Sequence, residues 1–208
     1  MSYSDFKSLD TLTSLGIDML EPVSCLIQAD PISPSDFLQE ALKRFVPLAT
    51  AINTEKARSE YLIAPILSEI TVINPPISLF SGKNFNVDPA QGLTGFFDFI
   101  LTDNPDKLTI KAPVVVVVEA KNENINEGLP QCLATMYAAL LVNQKEPEMA
   151  ERTVYGTVTT GQVWRFLALT PEGKAMVDLN DRYLTPVDEL LGVLVAMTTR
   201  SCLGNSRS

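Results

Sequence analysis

The spacing of apolar residues changes period several times along this chain, and each change marks an element. In residues 33–49, SPSDFLQEALKRFVPLA, the residues Phe37, Ala41, Leu42 and Phe45 recur at helical spacing. Ser33 stands as a cap, Pro34 in the first turn, and Pro47 reads as the end of the helix or a bend. Residues 53–73 carry a second helical pattern, with Ala57, Tyr61, Ala64 and Leu67 or Ser68 on one face and Ile63, Ile66 and Ile70 beside it. Pro65 predicts a kink there, because it removes one backbone hydrogen bond. Turn-rich residues 75–92 enclose a short strand at 77–80. Residues 93–103, LTGFFDFILTD, read as a strand, and NPDKL supplies a turn near Asp106 or Lys107. The chain then returns through TIKAPVVVVVEAK, whose five consecutive valines describe a strand buried on both faces.

Downstream, residues 122–131 read as a polar loop leading into an apolar helix over 129–144. Two strands, 153–160 and 162–170, flank a tight turn at Thr160 and Gly161, and 174–179 adds a short strand. A capping box from Thr185 to Asp188 or Glu189 opens a helix over 185–199. Near the start, residues 6–17 predict a short helix stopped at Gly16, and 19–27 a strand or extended arm. Residues 1–32 therefore read as an N-terminal extension or arm, 33–200 as the main domain and 201–208 as a flexible tail. The order of elements belongs to the α/β (α+β) class, with a mixed central β-sheet flanked by helices.

Composition narrows the chemistry. The 208 residues are 46% apolar and 20% charged, enough to build a core. There is no histidine, which removes His-based catalysis, His zinc sites and Ser-His or Cys-His relays together. A net charge of −9 argues against broad, charge-driven nucleic-acid binding, although not against a local basic groove or a site neutralised by a metal. Cys25, Cys132 and Cys202 lie far apart with no CxxC pair, an odd count suited to reduced thiols in a cytoplasmic protein. They read as buried small hydrophobes. No secretory signal and no membrane span are visible.

The end of the valine run raises the functional question. A strand this dry runs directly into Glu119 and Lys121, although burying a charge is costly unless it is paired or holds a metal. Glu119 and Lys121 are two apart, so they leave the strand on one face. If the preceding strand folds back as a hairpin, Asp98 comes close to Glu119. Two carboxylates at such a separation repel unless a cation sits between them, and their hard oxygens suit Mg²⁺ or Mn²⁺. Lys121 would orient an attacking water or stabilise charge developing on phosphorus.

The sequence GFFDFIL followed by VVVVVEAKN resembles the D-x(n)-E-x-K core of the PD-(D/E)xK phosphodiesterase superfamily, with its restriction-endonuclease-like fold. The resemblance covers residues 53–169 and points to the branch that includes the N-terminal nuclease domain of type I restriction enzyme R subunits. It implies a metal-dependent nuclease whose Mg²⁺ or Mn²⁺ is held by Asp98, Glu119 and the Ala120 carbonyl, with Lys121 assisting catalysis. It also implies that Glu60, the helical acid in KARSEYLIAPIL, touches the metal through water. Gln131, in the helix after the core, matches a Gln common in that branch. There a Tyr stands four residues beyond the Gln, whereas here Thr135 holds that position and Tyr137 comes six residues on.

Two other readings stay open: the same fold acting as a binding or scaffolding module, as a homodimer or within a larger complex that supplies DNA binding, and a small-molecule hydrolase using the same carboxylates. Trp164 reads as core and Arg165 as a solvated neighbour rather than as a base-stacking pair, and GKNFN at 82–86 lacks the glycine spacing of a phosphate loop.

Overall fold

The structure, a computed structural model, describes residues 1–199. The proposed 201–208 tail and Cys202 therefore lie outside the described residues. One eight-stranded mixed sheet organises the molecule. Its strands are β1 (Asp18–Met19), β2 (Ile77–Ser81), β3 (Phe99–Asp103), β4 (Val114–Ala120), β5 (Val154–Thr159), β6 (Val163–Leu169), β7 (Lys174–Val177) and β8 (Arg182–Tyr183). They lie in the order β1-β7-β6-β5-β4-β3-β2, with β8 paired to β6. The β4–β5 and β1–β7 pairs are parallel and the others antiparallel. A parallel pair cannot be joined by a tight turn, and a helix crosses over between β4 and β5.

Helices cover both faces. On one face lie α1 (Asp36–Ile52), a long helix that begins as α2 (Glu55–Arg58), continues through a π-helical turn (Ser59–Ile63) and ends as α3 (Ala64–Ile73), and finally α5 (Val187–Thr199). On the other lie α4 (Ile125–Asn143) and two short 3₁₀ turns, Tyr3–Asp5 and Leu9–Leu15. β4 is buried along its whole length, as a central strand with both faces covered must be.

The helix boundaries move from those read in the sequence, for local reasons. Ser35, not Ser33, caps α1 by accepting from the Leu38 N–H at 3.2 Å. The helix runs through Pro47 to Ile52 and stops at Asn53, in the left-handed region at φ 51°. The phase differs accordingly: Leu38, Ala41, Leu42 and Ala49 are buried, and Phe37 is exposed. Pro65 breaks nothing. The turn before it widens so that the Ala64 N–H reaches the Ser59 carbonyl five residues back, a π-helical turn that lets the chain remain helical across the proline. α4 starts at Ile125 under an Asn124 cap, so most of the expected polar loop, from Ile125 on, is helix. The strand expected over 93–103 is regular only from Phe99.

The N-terminal extension packs onto the rest of the chain. Tyr3, Phe6, Leu12, Leu15 and Ile17 pack into the same core as α4, and the Tyr3 hydroxyl donates to the Phe85 carbonyl at 2.6 Å. β1 joins the sheet edge beside β7, and Leu26 and Ile27 cross to the opposite core. Among the described residues no helix is long and apolar enough to cross a membrane.

Candidate active site

The site grows out of the β3–β4 hairpin. Near its connecting loop Thr102 pairs with Val114, a register that would carry Asp98 opposite Val118. A bulge between Leu101 and Thr102 takes up Val115 and changes the count, so that Leu101 pairs with Val116 and Phe99 with Val118. One step further, Asp98 stands level with Glu119. A shift of one residue exchanges the faces of a strand, so the bulge decides which β4 side chain Asp98 meets. It also explains why Val115 and Val116 both pack towards α1, α3 and α5, while Val114 and Val117 pack towards α4.

Beyond the bulge the alternation is regular, and Glu119 and Lys121 leave on the α4 side. Glu119 is 2% exposed. The Lys121 ammonium donates to its Oε1 at 2.7 Å and lies 3.5 Å from Gln131 Oε1. Asp98 accepts from the Ala120 N–H at 2.8 Å, which ties the acid to the strand end. The Lys121 N–H in turn donates to the Thr159 carbonyl at 2.8 Å, extending the β4–β5 ladder past the site.

The electrostatics are those of buried acids with too little positive charge. Burial pushes the Glu119 carboxyl up to about 8, the neighbouring Asp98 adds to the rise, and Lys121 only partly opposes it. Asp98 is also raised, chiefly by burial. Burial works against the Lys121 ammonium, yet the Glu119 carboxylate beside it holds its pKa above the ordinary value. Cys132, directly behind the cluster, is fully buried, and its thiol lies well above its usual range for the same reason. It is inert packing, as read from the sequence, whereas Cys25 is exposed.

The structure thus brings together Asp98, Glu119, Ala120, Lys121 and Gln131. It does not bring in Glu60. That residue is half-exposed and pairs with Lys56 at 2.9 Å. The helical acid at the cluster is Glu55, which lines a cleft with Ser59, Ser81, Gly82, Asp98 and Ala120. Its carboxyl is raised by burial and by Asp98 and lowered by Lys121, so it feels both members of the cluster. The cause of the exchange is the π turn. An extra residue in one turn rotates everything before it by about 100° relative to a regular count from the apolar stripe of α3. The signal that would have found Glu55 is Thr54, which caps α2 through the Ala57 N–H and sets Glu55 as its first residue.

The donor set fits a hard divalent ion. All its members are oxygens, two of them on carboxylates that repel each other, Glu119 buried and Asp98 partly buried. Among the described residues no three Asp, Glu, Cys or His side chains form a metal-holding group. Asp98 and Glu119 would therefore hold the ion with a backbone carbonyl such as that of Ala120 and with water, as Mg²⁺ commonly accepts.

Of two neighbouring residues, one follows its sequence reading and one departs from it. Trp164 is fully buried and belongs to the core, as expected. Arg165 is not solvated: it grips Asp181 through Nε and Nη2 at 2.7 and 2.8 Å and donates to Asn126 Oδ1 at 2.7 Å. A comparison with protein-family models finds no match to this chain, and a comparison with curated proteins finds none either.

Proposed function

We propose that the protein is a metal-dependent phosphodiesterase of the restriction-endonuclease-like kind, acting on nucleic acid. One observation carries the proposal: Asp98, just before β3, and Glu119, on β4, converge at the end of β4 with the Lys121 ammonium 2.7 Å from Glu119. Asp98 and Glu119 would hold Mg²⁺ or Mn²⁺, with the Ala120 carbonyl completing the protein's share. The bound ion would supply Lewis-acid polarisation of the phosphate and acidify water. Lys121, held by Glu119 and close to Gln131, is placed to offset negative charge as it builds on the phosphate oxygens. Gln131 and Glu119 keep that ammonium from rotating into solvent. Glu55, at the rim, adds a carboxylate able to anchor a water of the ion.

The test is hydrolysis of DNA and RNA in Mg²⁺ or Mn²⁺ by wild type, Glu119→Ala and Lys121→Ala. The proposal expects losses of about 10²-fold or more in each variant, the scale of removing one preorganised charge from a transition state. Equal cutting by the variants and the wild type would refute these roles.

A further inference from the structure

The sheet ends at β2, and that end is open. β2 pairs with β3 on one side and with no other described strand. The Gly82 N–H donates to the Asp98 carbonyl at 3.0 Å, one step beyond the Ser81–Phe99 pair. In an antiparallel ladder alternate residues turn their backbone groups to the same neighbour, so Ser78 and Phe80 also bond β3. Ile77, Leu79 and Ser81 therefore turn theirs outward. The Ile77 N–H is closed by the Asn74 carbonyl at 3.0 Å. The N–H groups of Leu79 and Ser81 and the carbonyls of all three have no bonding partner among the described residues.

Proteins ordinarily guard such an edge with charges, prolines or a bulge, or cover it. β2, Ile-Ser-Leu-Phe-Ser, carries no charge and no proline, and its ladder with β3 runs without a bulge. The whole stretch 74–82 is uncharged in a chain of net charge −9, so two such chains meet here without opposing carboxylates. Apolar surface flanks the edge. Pro75 and Pro76 are exposed just before β2. Leu108 is exposed near its other end, where Lys83 Nζ, lying over the Phe80 ring, donates to the Leu108 carbonyl at 2.7 Å.

We propose that β2 pairs antiparallel with β2 of a second copy of this chain, across a two-fold axis at Leu79. The phase of the outward groups fixes the register. Leu79 faces Leu79 of the second copy and exchanges both bonds with it, while the Ser81 N–H donates to the Ile77 carbonyl of the second copy, and the reverse. The edge is thus complementary to itself, as a two-fold interface requires. The half-buried Leu79 side chains, on the α3 face of the sheet, meet each other. Strands of five residues bury less than the about 1,200–2,000 Å² of a stable interface. The same register carries Pro75 and Pro76 of each copy toward Lys83 and Leu108 of the other, which enlarges the apolar contact. Association stops at two, because β1 at the far edge has only two residues and offers no comparable template. Ser81 and Gly82 also line the cleft that holds Glu55 and Asp98, so Pro76 and Ile77 of each copy border the other's carboxylate cluster. The inference does not depend on the phosphodiesterase reading.

The test is the mass of the full chain in solution, by sedimentation equilibrium at concentrations up to about 100 μM, the range of a moderate-affinity dimer. Wild type is expected to be a dimer. Leu79→Lys sets two ammonium groups opposite each other and should raise the dimer dissociation constant about tenfold or more. Ser81→Pro removes an outward N–H without breaking a β2–β3 bond and should act in the same direction. Cysteines read the register independently of those variants. In a Cys25→Ser, Cys202→Ser background, Leu79→Cys should cross-link to its own copy under mild oxidation. Ser81→Cys should not, because the strand rise sets it about 14 Å from its own copy, beyond the reach of a disulfide. Ser81 is the more exposed of the two, so random collision would favour it instead. A monomeric wild type overturns the proposal and leaves the edge to a strand of another protein. A dimer unchanged by both Leu79→Lys and Ser81→Pro, or Ser81→Cys cross-linking as readily as Leu79→Cys, overturns it as well.

Discussion

Single side chains carry the sharpest consequences. Glu55 and Glu60 sit within two turns of one helix, yet only Glu55 feels Asp98 and Lys121. Glu55→Gln should lower metal-supported activity about 10-fold, the scale of losing a group that positions a metal's water, whereas Glu60→Gln should stay near wild type. Activity assays across a Mg²⁺ titration separate the two; the reverse order would return Glu60 to the site. Glu119 makes stability depend on pH. Its ordinary value of 4.5 becomes about 8 in the folded protein, so the native state holds this proton more tightly than the unfolded chain. The resulting stability is fully present below pH 4.5 and is lost as pH rises through about 8. Asp98 and Glu55, also raised, act in the same sense. In metal-free buffer the urea midpoint should therefore fall across that interval. Glu119→Gln should flatten most of the slope, and Mg²⁺ should reduce it in wild type.

Elements hold these side chains in place through close approach. α4 lies against β4 and β5 at Gly128, where an added Cβ would meet Val158 Cγ1 at 2.5 Å and Lys121 Cε at 3.1 Å. Gly128→Ala must push aside the buried Val158 or Lys121. It is expected to destabilise by about 1–3 kcal/mol and to lower turnover more than substrate binding. Denaturant melts and a separation of kcat from KM check this, and unchanged kcat would show that Lys121 has room to move. The β3–β4 bulge has the same positioning role. Counted from the loop, the hairpin alone leads Asp98 to the wrong partner, and the residue it takes up aligns two acids that strand alternation would separate. The capping of α1 is equally specific: Glu69, buried on α3, accepts from both the Ser35 N–H and hydroxyl at 2.7 and 2.9 Å. This bond pair locks the two helices that cover the same sheet face.

At the scale of the molecule, the first turns of the chain complete the core. Each of Tyr3, Phe6, Leu12, Leu15 and Ile17 is buried against the α4 side, and each contributes about 1.5–3 kcal/mol of burial. Their sum rivals the net stability of a domain, about 5–15 kcal/mol. A variant lacking residues 1–17 should lose cooperative melting and bind a hydrophobic dye. A wild-type melting temperature in that variant would show the segment to be dispensable. Because α4 also carries Gln131 and Cys132 beside the cluster, loosening the packing of α4 should also weaken metal binding, measured by calorimetry.

What was legible in the sequence was local. The two-residue alternation of a strand puts Glu119 and Lys121 on one face, a chain reversal brings Asp98 near, and the valine run marks the buried strand that carries them. These relations need only the backbone period and one turn, so residue order suffices to state them. What the tertiary structure decided was phase and long-range company. The π turn selected Glu55 over Glu60, and the bulge set Asp98 level with Glu119. Packing drew residues 1–17 into the core, and the folding of α2 over the ends of β4 and β5 brought Arg58 to Thr160. Each of these turns on a single extra residue or on contacts between distant segments, and the energy that settles them belongs to the assembled core rather than to any local pattern.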